Sequence, residues 1–251
     1  YEVFPLSLNQ KNIWALEQSV GGTSINNISA TIRISGRVDL SLLEKALRTV
    51  VDLDPSLRTR ITVRDGVPMQ YHAPVSGDAV PLLDFACVNE ESFGHWATAY
   101  TQIPIFAPDA PLYRFVLCRM GERSACLLVE THHIISDGWS QIMLCNRIGE
   151  AYLGLLGGKA PEWEEFPDYA AYVEDEARYL DSKTYRDDRD YWSRVLGREG
   201  ETASVKSFKS AVSQVGRRKS YRLPQQLNHA IYSFCQQHRV TPFSVFYMAL
   251  A

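Results

Sequence analysis

The spacing of the apolar residues changes twice between residues 28 and 63, and this change constrains the fold more than any other feature of the chain. Residues 28–34 alternate between apolar and polar side chains, which predicts a half-buried strand. Residues 40–53 then carry apolar side chains at helical intervals. Asp39 precedes this helix, and Ser41 and Glu44 have the spacing of a capping box.

Strand and helix patterns continue to alternate further along the chain. Residues 57–63 alternate again, and Asp65–Gly66 predicts a hairpin turn into a strand near residues 68–72. Further elements are predicted over residues 92–103 (helix), 113–119 and 124–131 (strands), 142–155 (a helix ending at Gly157–Gly158) and 170–196 (two surface helices). This order predicts an α/β chain, specifically an α+β two-layer sandwich with a mixed, largely open sheet flanked by helices.

The last third of the chain has a different character. Residues 197–220 are polar with few apolar anchors, which predicts a loop or linker. Two helices follow, with Pro224 and Pro242 as their first residues and Thr241 as the N-cap of the second. Residues 243–251 are apolar almost all round and have no stop signal, so we expect other structure to cover them and the chain to be truncated here.

Composition excludes several function classes. The 26 Lys and Arg residues nearly balance the 29 Asp and Glu residues, which argues against nucleic acid as a partner. The basic run at residues 216–219 is a solvated turn, or a site for a carrier protein with an acidic face. The 5 cysteines form no metal-binding spacing and suggest reduced thiols in a cytoplasmic protein. No apolar stretch reaches the about 18 residues of a membrane span.

Residues 131–140, with the sequence THHIISDGWS, carry the chemistry of the chain. A neutral imidazole at a strand end can accept a proton near neutral pH, so a histidine here is a candidate general base. His132 and His133 point opposite ways on an extended backbone. The pair therefore diverges, unlike the histidines of a helical H-E-x-x-H site, and we expect no metal site. Asp137 can be an acid, a metal ligand or a structural anchor.

This window resembles a known family. Residues 132–138 resemble the HHxxxDG signature of condensation domains of nonribosomal peptide synthetases, which share the chloramphenicol-acetyltransferase-like fold. Three further segments resemble family motifs in the same order: Ser7 to Trp14 (S-x-x-Q-x-x-[LI]-W), Leu57 to Arg60 (LRTRF, with Ile61 in place of the aromatic residue) and Phe166 to Ala170 ([YF]-x-D-[YF]-A). The resemblance runs from about residue 4 to the end and implies that residues 1–251 are the N-terminal lobe of such a domain, without the C-terminal lobe.

The resemblance implies a role for each motif residue. His133 is the catalytic residue and faces a tunnel between two lobes, either as a general base or as a group that positions the amine. His132 is structural, and Asp137 forms an ion pair with Arg58. The backbone N–H of Gly138 is a candidate donor to the developing oxyanion, and the same residue can be a simple turn glycine.

The remaining motif residues have two interpretations each. Ser140 caps the next helix or contacts substrate in the tunnel. Trp139 is a packing residue, as is Trp14, and it also stands where a substrate tunnel would lie.

The implied function is amide formation between a donor acyl or aminoacyl thioester and an acceptor amine, both bound to carrier domains. The alternatives are another acyltransferase of the same fold that uses a free alcohol or amine, and a non-catalytic carrier-docking lobe. The chain itself is expected to bind no cofactor, because phosphopantetheine is carried by the partner carrier domains. The other expected partners are the C-terminal lobe and an adenylation domain, with no nucleic acid and no membrane, and the isolated chain is expected to be inactive.

Overall fold

The computed structural model describes residues 2–75, 77, 79–161, 163, 168–197 and 220–250. They fall into two compact units, Tyr1–Glu201 and Thr202–Ala251. The strands of the first unit are β1 (Phe4–Pro5), β2 (Asn27–Ser35), β3 (Thr59–Arg64), β4 (Val67–His72), β5 (Leu82–Asp84), β6 (Tyr113–Gly121) and β7 (Ser124–His132). Its helices are α1 (Leu8–Val20), α2 (Leu40–Leu53), α3 (Glu90–Thr101), α4 (Gly138–Leu156), α5 (Tyr169–Leu180) and α6 (Lys183–Leu196), with a 3-10 turn at Pro55–Arg58.

A four-stranded mixed sheet forms the centre of the first unit, in the order β2-β7-β6-β5. Its neighbours are antiparallel except β5 and β6, which are parallel. On one face, Leu127 and Val129 of β7 pack with apolar residues of α2 and α4. On the other face, Val116 and Leu128 pack with Phe93 of α3. The predicted mixed sheet flanked by helices is therefore confirmed, and helices cover both of its faces.

A second, three-stranded sheet has the order β1-β4-β3 and was not predicted, because the sequence suggested one open sheet. The predicted hairpin at Asp65–Gly66 is confirmed, and both turn residues have positive φ (51° and 78°), as in the turns that match strand twist. Strands β1 and β5 were missed because two or three residues are too few to show an alternating pattern.

The predicted start of α2 is correct in position but not in mechanism, whereas α3 and α4 begin two and four residues before their predicted starts at residues 92 and 142. The capping box at Ser41 and Glu44 is wrong, because the Asp39 carboxylate accepts the Leu42 N–H at 2.9 Å and caps α2 itself. A capping box does exist at the start of α1, formed by Ser7 and Gln10.

The second unit contains two described helices, α7 (Gln225–His238) and α8 (Pro242–Leu250). Thr241 caps α8 as predicted, because its Oγ1 accepts the Ser244 N–H at 3.2 Å. Pro224 precedes α7 as its N-cap instead of being its first residue, which corrects the prediction. Residues 198–219 of the linker predicted over 197–220, including its basic run, lie outside the described residues, as does Phe166. No helix in the described part of the chain is long and apolar enough to cross a membrane.

Candidate active site

The loop between β7 and α4 carries the motif residues to the edge of a cleft. β7 ends at His132 and α4 begins at Gly138. His133 is exposed, its N–H donates to the Asn26 carbonyl at 2.8 Å, and its ring makes no hydrogen bond to any described residue. The adjoining cleft has a volume of about 480 Å³. Besides loop residues, it is lined by side chains of α1, the 3-10 turn, β3 and α5, including Asn9, Asn12, Ser56, Thr59 and Tyr169.

His132 lies on the opposite side of the backbone and is 1% exposed. Its Nδ1 accepts the Ile134 N–H at 3.2 Å, so the ring proton is on Nε2, which donates to Glu17 Oε1 at 3.0 Å. Burial lowers the pKa of the His132 imidazole, although the hydrogen bond to Glu17 acts in the other direction. The two motif histidines therefore have opposite environments: His132 is a neutral ring held inside the protein, and His133 is open to the cleft.

The expected ion pair between Asp137 and Arg58 is absent, which corrects the sequence interpretation. The Asp137 carboxylate is the N-cap of α4 and accepts both the N–H and the O–H of Ser140 at 2.7 Å. These hydrogen bonds lower the pKa of the Asp137 carboxyl, and its charge interaction with His133 acts in the same direction. Arg58 instead donates from Nη1 to the Asp52 carbonyl at 2.7 Å, near the end of α2. Its Nε is buried without a hydrogen-bond partner among the described residues.

The residues after Asp137 occupy the first turn of α4. Gly138 is the first helical residue, and a Cβ added there would meet nothing within 4 Å. The packing prediction for Trp139 is wrong, because the residue is 71% exposed. Ser140 does not cap the helix, since Asp137 does, but its side chain lines the cleft. The packing prediction for Trp14 is confirmed, with its ring edge-on to Phe106 at 5.7 Å between centroids.

Sequence reasoning missed the buried polar residues behind the loop. Glu17 is 4% exposed and Gln70 is 0% exposed, yet nothing in their local sequence distinguishes them from surface residues. Gln10, which is 3% exposed, had a usable signal, because Ser7 and Gln10 have the S-x-x-Q spacing of a capping box. Among the described residues, no group of three or more His, Cys, Asp or Glu side chains is placed to hold a metal ion.

Comparisons with known proteins point to one family. The family model described as Condensation domain matches residues 1–251. Surfactin synthase subunit 1 of Bacillus subtilis (strain 168) is 28% identical over 99% of this chain and 7% of its own length. The dimodular nonribosomal peptide synthase of the same organism is 30% identical over 69% of this chain and 7% of its own length. The chain thus spans less than a tenth of the length of these two curated relatives.

Solved structures show the same fold. The first condensation domain of the calcium-dependent antibiotic synthetase, in complex with substrate analogue 2a, superposes with a TM-score of 0.85 at 21% identity. That match covers 96% of this chain and 58% of the solved chain. The starter condensation domain of rhizomide synthetase superposes with a TM-score of 0.73 at 24% identity, over 80% of this chain and 49% of the solved chain. At sequence identities this low, the superpositions establish the fold alone, and the chemistry has to be argued from the residues of the site.

Proposed function

The chain belongs to the condensation domain family, and from this premise we propose that it forms amide bonds in nonribosomal peptide synthesis. The substrates are a donor acyl or aminoacyl thioester and an acceptor amine, each carried by the phosphopantetheine arm of a carrier domain. The observation that carries the proposal is the contrast between the two motif histidines. His133 lines the cleft and its ring makes no hydrogen bond to a described residue, whereas His132 is buried and both of its ring nitrogens are hydrogen-bonded.

The reaction requires one proton transfer and the stabilisation of one negative charge. The amine nitrogen attacks the thioester carbon, the N–C bond forms, and the carbonyl oxygen becomes an oxyanion. The C–S bond then breaks, and the thiolate leaves and takes up the proton that the amine has lost. The His133 imidazole either accepts that proton or holds the amine in the attacking orientation.

The first turn of α4 is the candidate oxyanion site. The N–H of Gly138 is among the first four of a helix, which have no intrahelical acceptor, and no described group accepts it. The positive end of the helix dipole adds to the attraction for negative charge. Asp137 and Ser140, on either side, both line the cleft, so this donor lies at its edge.

The cleft suits the uncharged, amide-bearing pantetheine part of the arm. Its polar lining includes neutral side chains that can donate to or accept from amides, among them Asn9, Asn12, Ser56 and Ser136. We further propose that residues 1–251 are the N-terminal lobe of the domain and that a C-terminal lobe supplies the opposite wall. The 58% share of the solved condensation-domain chain that this chain covers supports that proposal.

Replacing His133 tests the function. In the full-length protein with loaded donor and acceptor carrier domains, we expect His133→Ala to lower product formation by about 10²–10⁴-fold, the usual contribution of a positioned acid–base group. The melting temperature should not change, because the His133 side chain is exposed. His95→Ala, at an exposed histidine of α3, is the matched control and should keep full activity.

Four outcomes contradict parts of the proposal. Unchanged product formation by His133→Ala would remove the assignment of this residue. Product only with a free amine or alcohol would favour another acyltransferase, and no product under any condition would favour a docking lobe. Robust turnover by residues 1–251 alone would contradict the two-lobe proposal.

A further inference from the structure

Helix α1 buries polar side chains where a helix normally buries apolar ones. Its two buried residues are Gln10 and Glu17, at 3% and 4% exposure. They lie two helical turns apart and therefore on one face. Buried polar groups need partners, because an unsatisfied one costs about 1–3 kcal/mol. The partners of both side chains lead to the loop that carries His133.

Glu17 holds the loop through His132. Its Oε1 accepts the Nε2–H of His132 at 3.0 Å and the Nδ2–H of Asn26 at 2.6 Å. The His132 ring packs on Phe106 with 4.9 Å between centroids. Because the other ring nitrogen accepts the Ile134 N–H at 3.2 Å, the carboxylate fixes both the tautomer and the direction of that hydrogen bond.

Gln10 holds the same loop directly. Its Nε2 donates to the Ile134 carbonyl at 3.1 Å and to Gln70 Oε1 at 2.9 Å. Its Oε1 accepts the Ser7 N–H at 2.9 Å and Gln70 Nε2 at 2.7 Å. Gln70 uses its remaining N–H on the Pro5 carbonyl at 2.9 Å. Every amide N–H of the two glutamines is therefore used, which leaves neither side chain free to rotate.

Both backbone polar groups of Ile134, the residue after His133, are thus held by buried side chains. The backbone N–H of His133 itself donates to the carbonyl of Asn26, whose side chain Glu17 binds. We infer that Gln10 and Glu17 are positioning residues that hold the His133 imidazole in its reactive place, an inference that rests on the proposed function. Displacement of a reacting group by about 1 Å can cost about 10²-fold in rate.

Gln10→Glu separates this role from helix capping. A glutamate keeps an acceptor for the Ser7 N–H, as capping boxes with glutamate do, but it cannot donate to the Ile134 carbonyl. In the full-length protein we expect kcat for condensation to fall about 10–100-fold, with KM for both loaded carriers within about threefold of wild type. Gln18→Glu, at an exposed glutamine of the same helix, is the control and should leave both constants unchanged. A folded Gln10→Glu protein with wild-type kcat, or with only a raised KM, would overturn the inference.

Glu17 provides a second test that does not depend on how Gln10→Glu folds. Glu17→Leu removes the acceptor of His132 and should lower kcat by about 10–100-fold, whereas Glu17→Gln keeps an oxygen there and should stay within about threefold of wild type. Nitrogen NMR of labelled histidine should show His132 as the Nε2–H tautomer in wild type and Glu17→Gln, and a mixture in Glu17→Leu. Equal activity and one tautomer in all three proteins would refute the positioning role.

Failure of the positioning inference and failure of the proposed function can be distinguished in one assay. If wild type makes product, His133→Ala does not, and both Gln10→Glu and Glu17→Leu remain fully active, only the positioning inference fails. If wild type makes no product, the proposed function fails, and the positioning role for that reaction fails with it.

Discussion

The loss of the Asp137 carboxylate is expected to have a small effect on stability, and this expectation separates two interpretations of the motif. In a buried ion pair with Arg58, removing one partner would cost about 3–5 kcal/mol. The structure instead shows an exposed N-cap whose carboxylate accepts the N–H and the O–H of Ser140. Replacing an N-cap aspartate by alanine costs about 1 kcal/mol, and asparagine caps nearly as well as aspartate. We therefore expect a loss of about 1 kcal/mol for Asp137→Ala and almost none for Asp137→Asn.

A double-mutant cycle in the full-length protein measures the difference directly. The free energy of unfolding is compared for wild type, Asp137→Ala, Arg58→Ala and the double variant, with urea as denaturant. Because Arg58 bonds to the Asp52 carbonyl and not to Asp137, we expect the two losses to add within about 0.5 kcal/mol. Asp168→Ala is the matched control, because Asp168 caps α5 by accepting the Ala170 N–H at 2.9 Å and has no place in the motif loop.

The stability of wild type and of Asp137→Ala should depend on pH with a definite sign. The hydrogen bonds from Ser140 lower the folded pKa of Asp137, so the cap stabilises the protein above the unfolded pKa of about 3.9 and loses its effect as the pH falls through the lowered folded value. Wild type and Asp137→Ala should therefore converge in stability in acid. A coupling energy above about 1.5 kcal/mol between Asp137 and Arg58 would refute the reasoning and restore the ion pair.

Two further predictions concern buried titratable groups. Burial lowers the folded pKa of His132, so the unfolded chain binds a proton that the folded chain does not, and stability should fall as the pH drops below about 6.5. Urea unfolding at pH 8 and pH 5.5 checks this: His132→Gln should reduce the pH dependence, and His229→Gln, at an exposed histidine of α7, should not. Burial raises the pKa of the Cys118 thiol to about 12. Iodoacetamide at pH 8 should therefore modify the exposed Cys87 well before Cys118. Mass spectrometry measures the order of modification, and the reverse order would contradict the prediction.

Local sequence patterns were sufficient to predict a strand, helix or turn wherever one face of the element is buried and its neighbours in sequence decide its conformation. The strand at β2, the helix at α2 and the hairpin at Asp65–Gly66 follow from spacing and turn chemistry alone. The same reasoning gave the wrong cap for α2, because Asp39 and Ser41 are both residue types that cap helices and only the backbone geometry selects Asp39. It also could not find β1 or β5, whose two or three residues are defined by their partner strands.

At the site, the amino-acid sequence predicts which residues carry the chemistry, because residues 132–138 combine imidazole, carboxylate and glycine and resemble a family signature. What each of these residues contacts depends on the folded chain. Folding pairs Asp137 with Ser140 instead of Arg58, and it brings Gln10 and Glu17 of a distant helix behind the loop. A polar side chain looks the same in sequence whether its hydrogen bonds are made to water or to protein. For Gln10 and Glu17, the packing of α1 against the loop decides that they are made to protein.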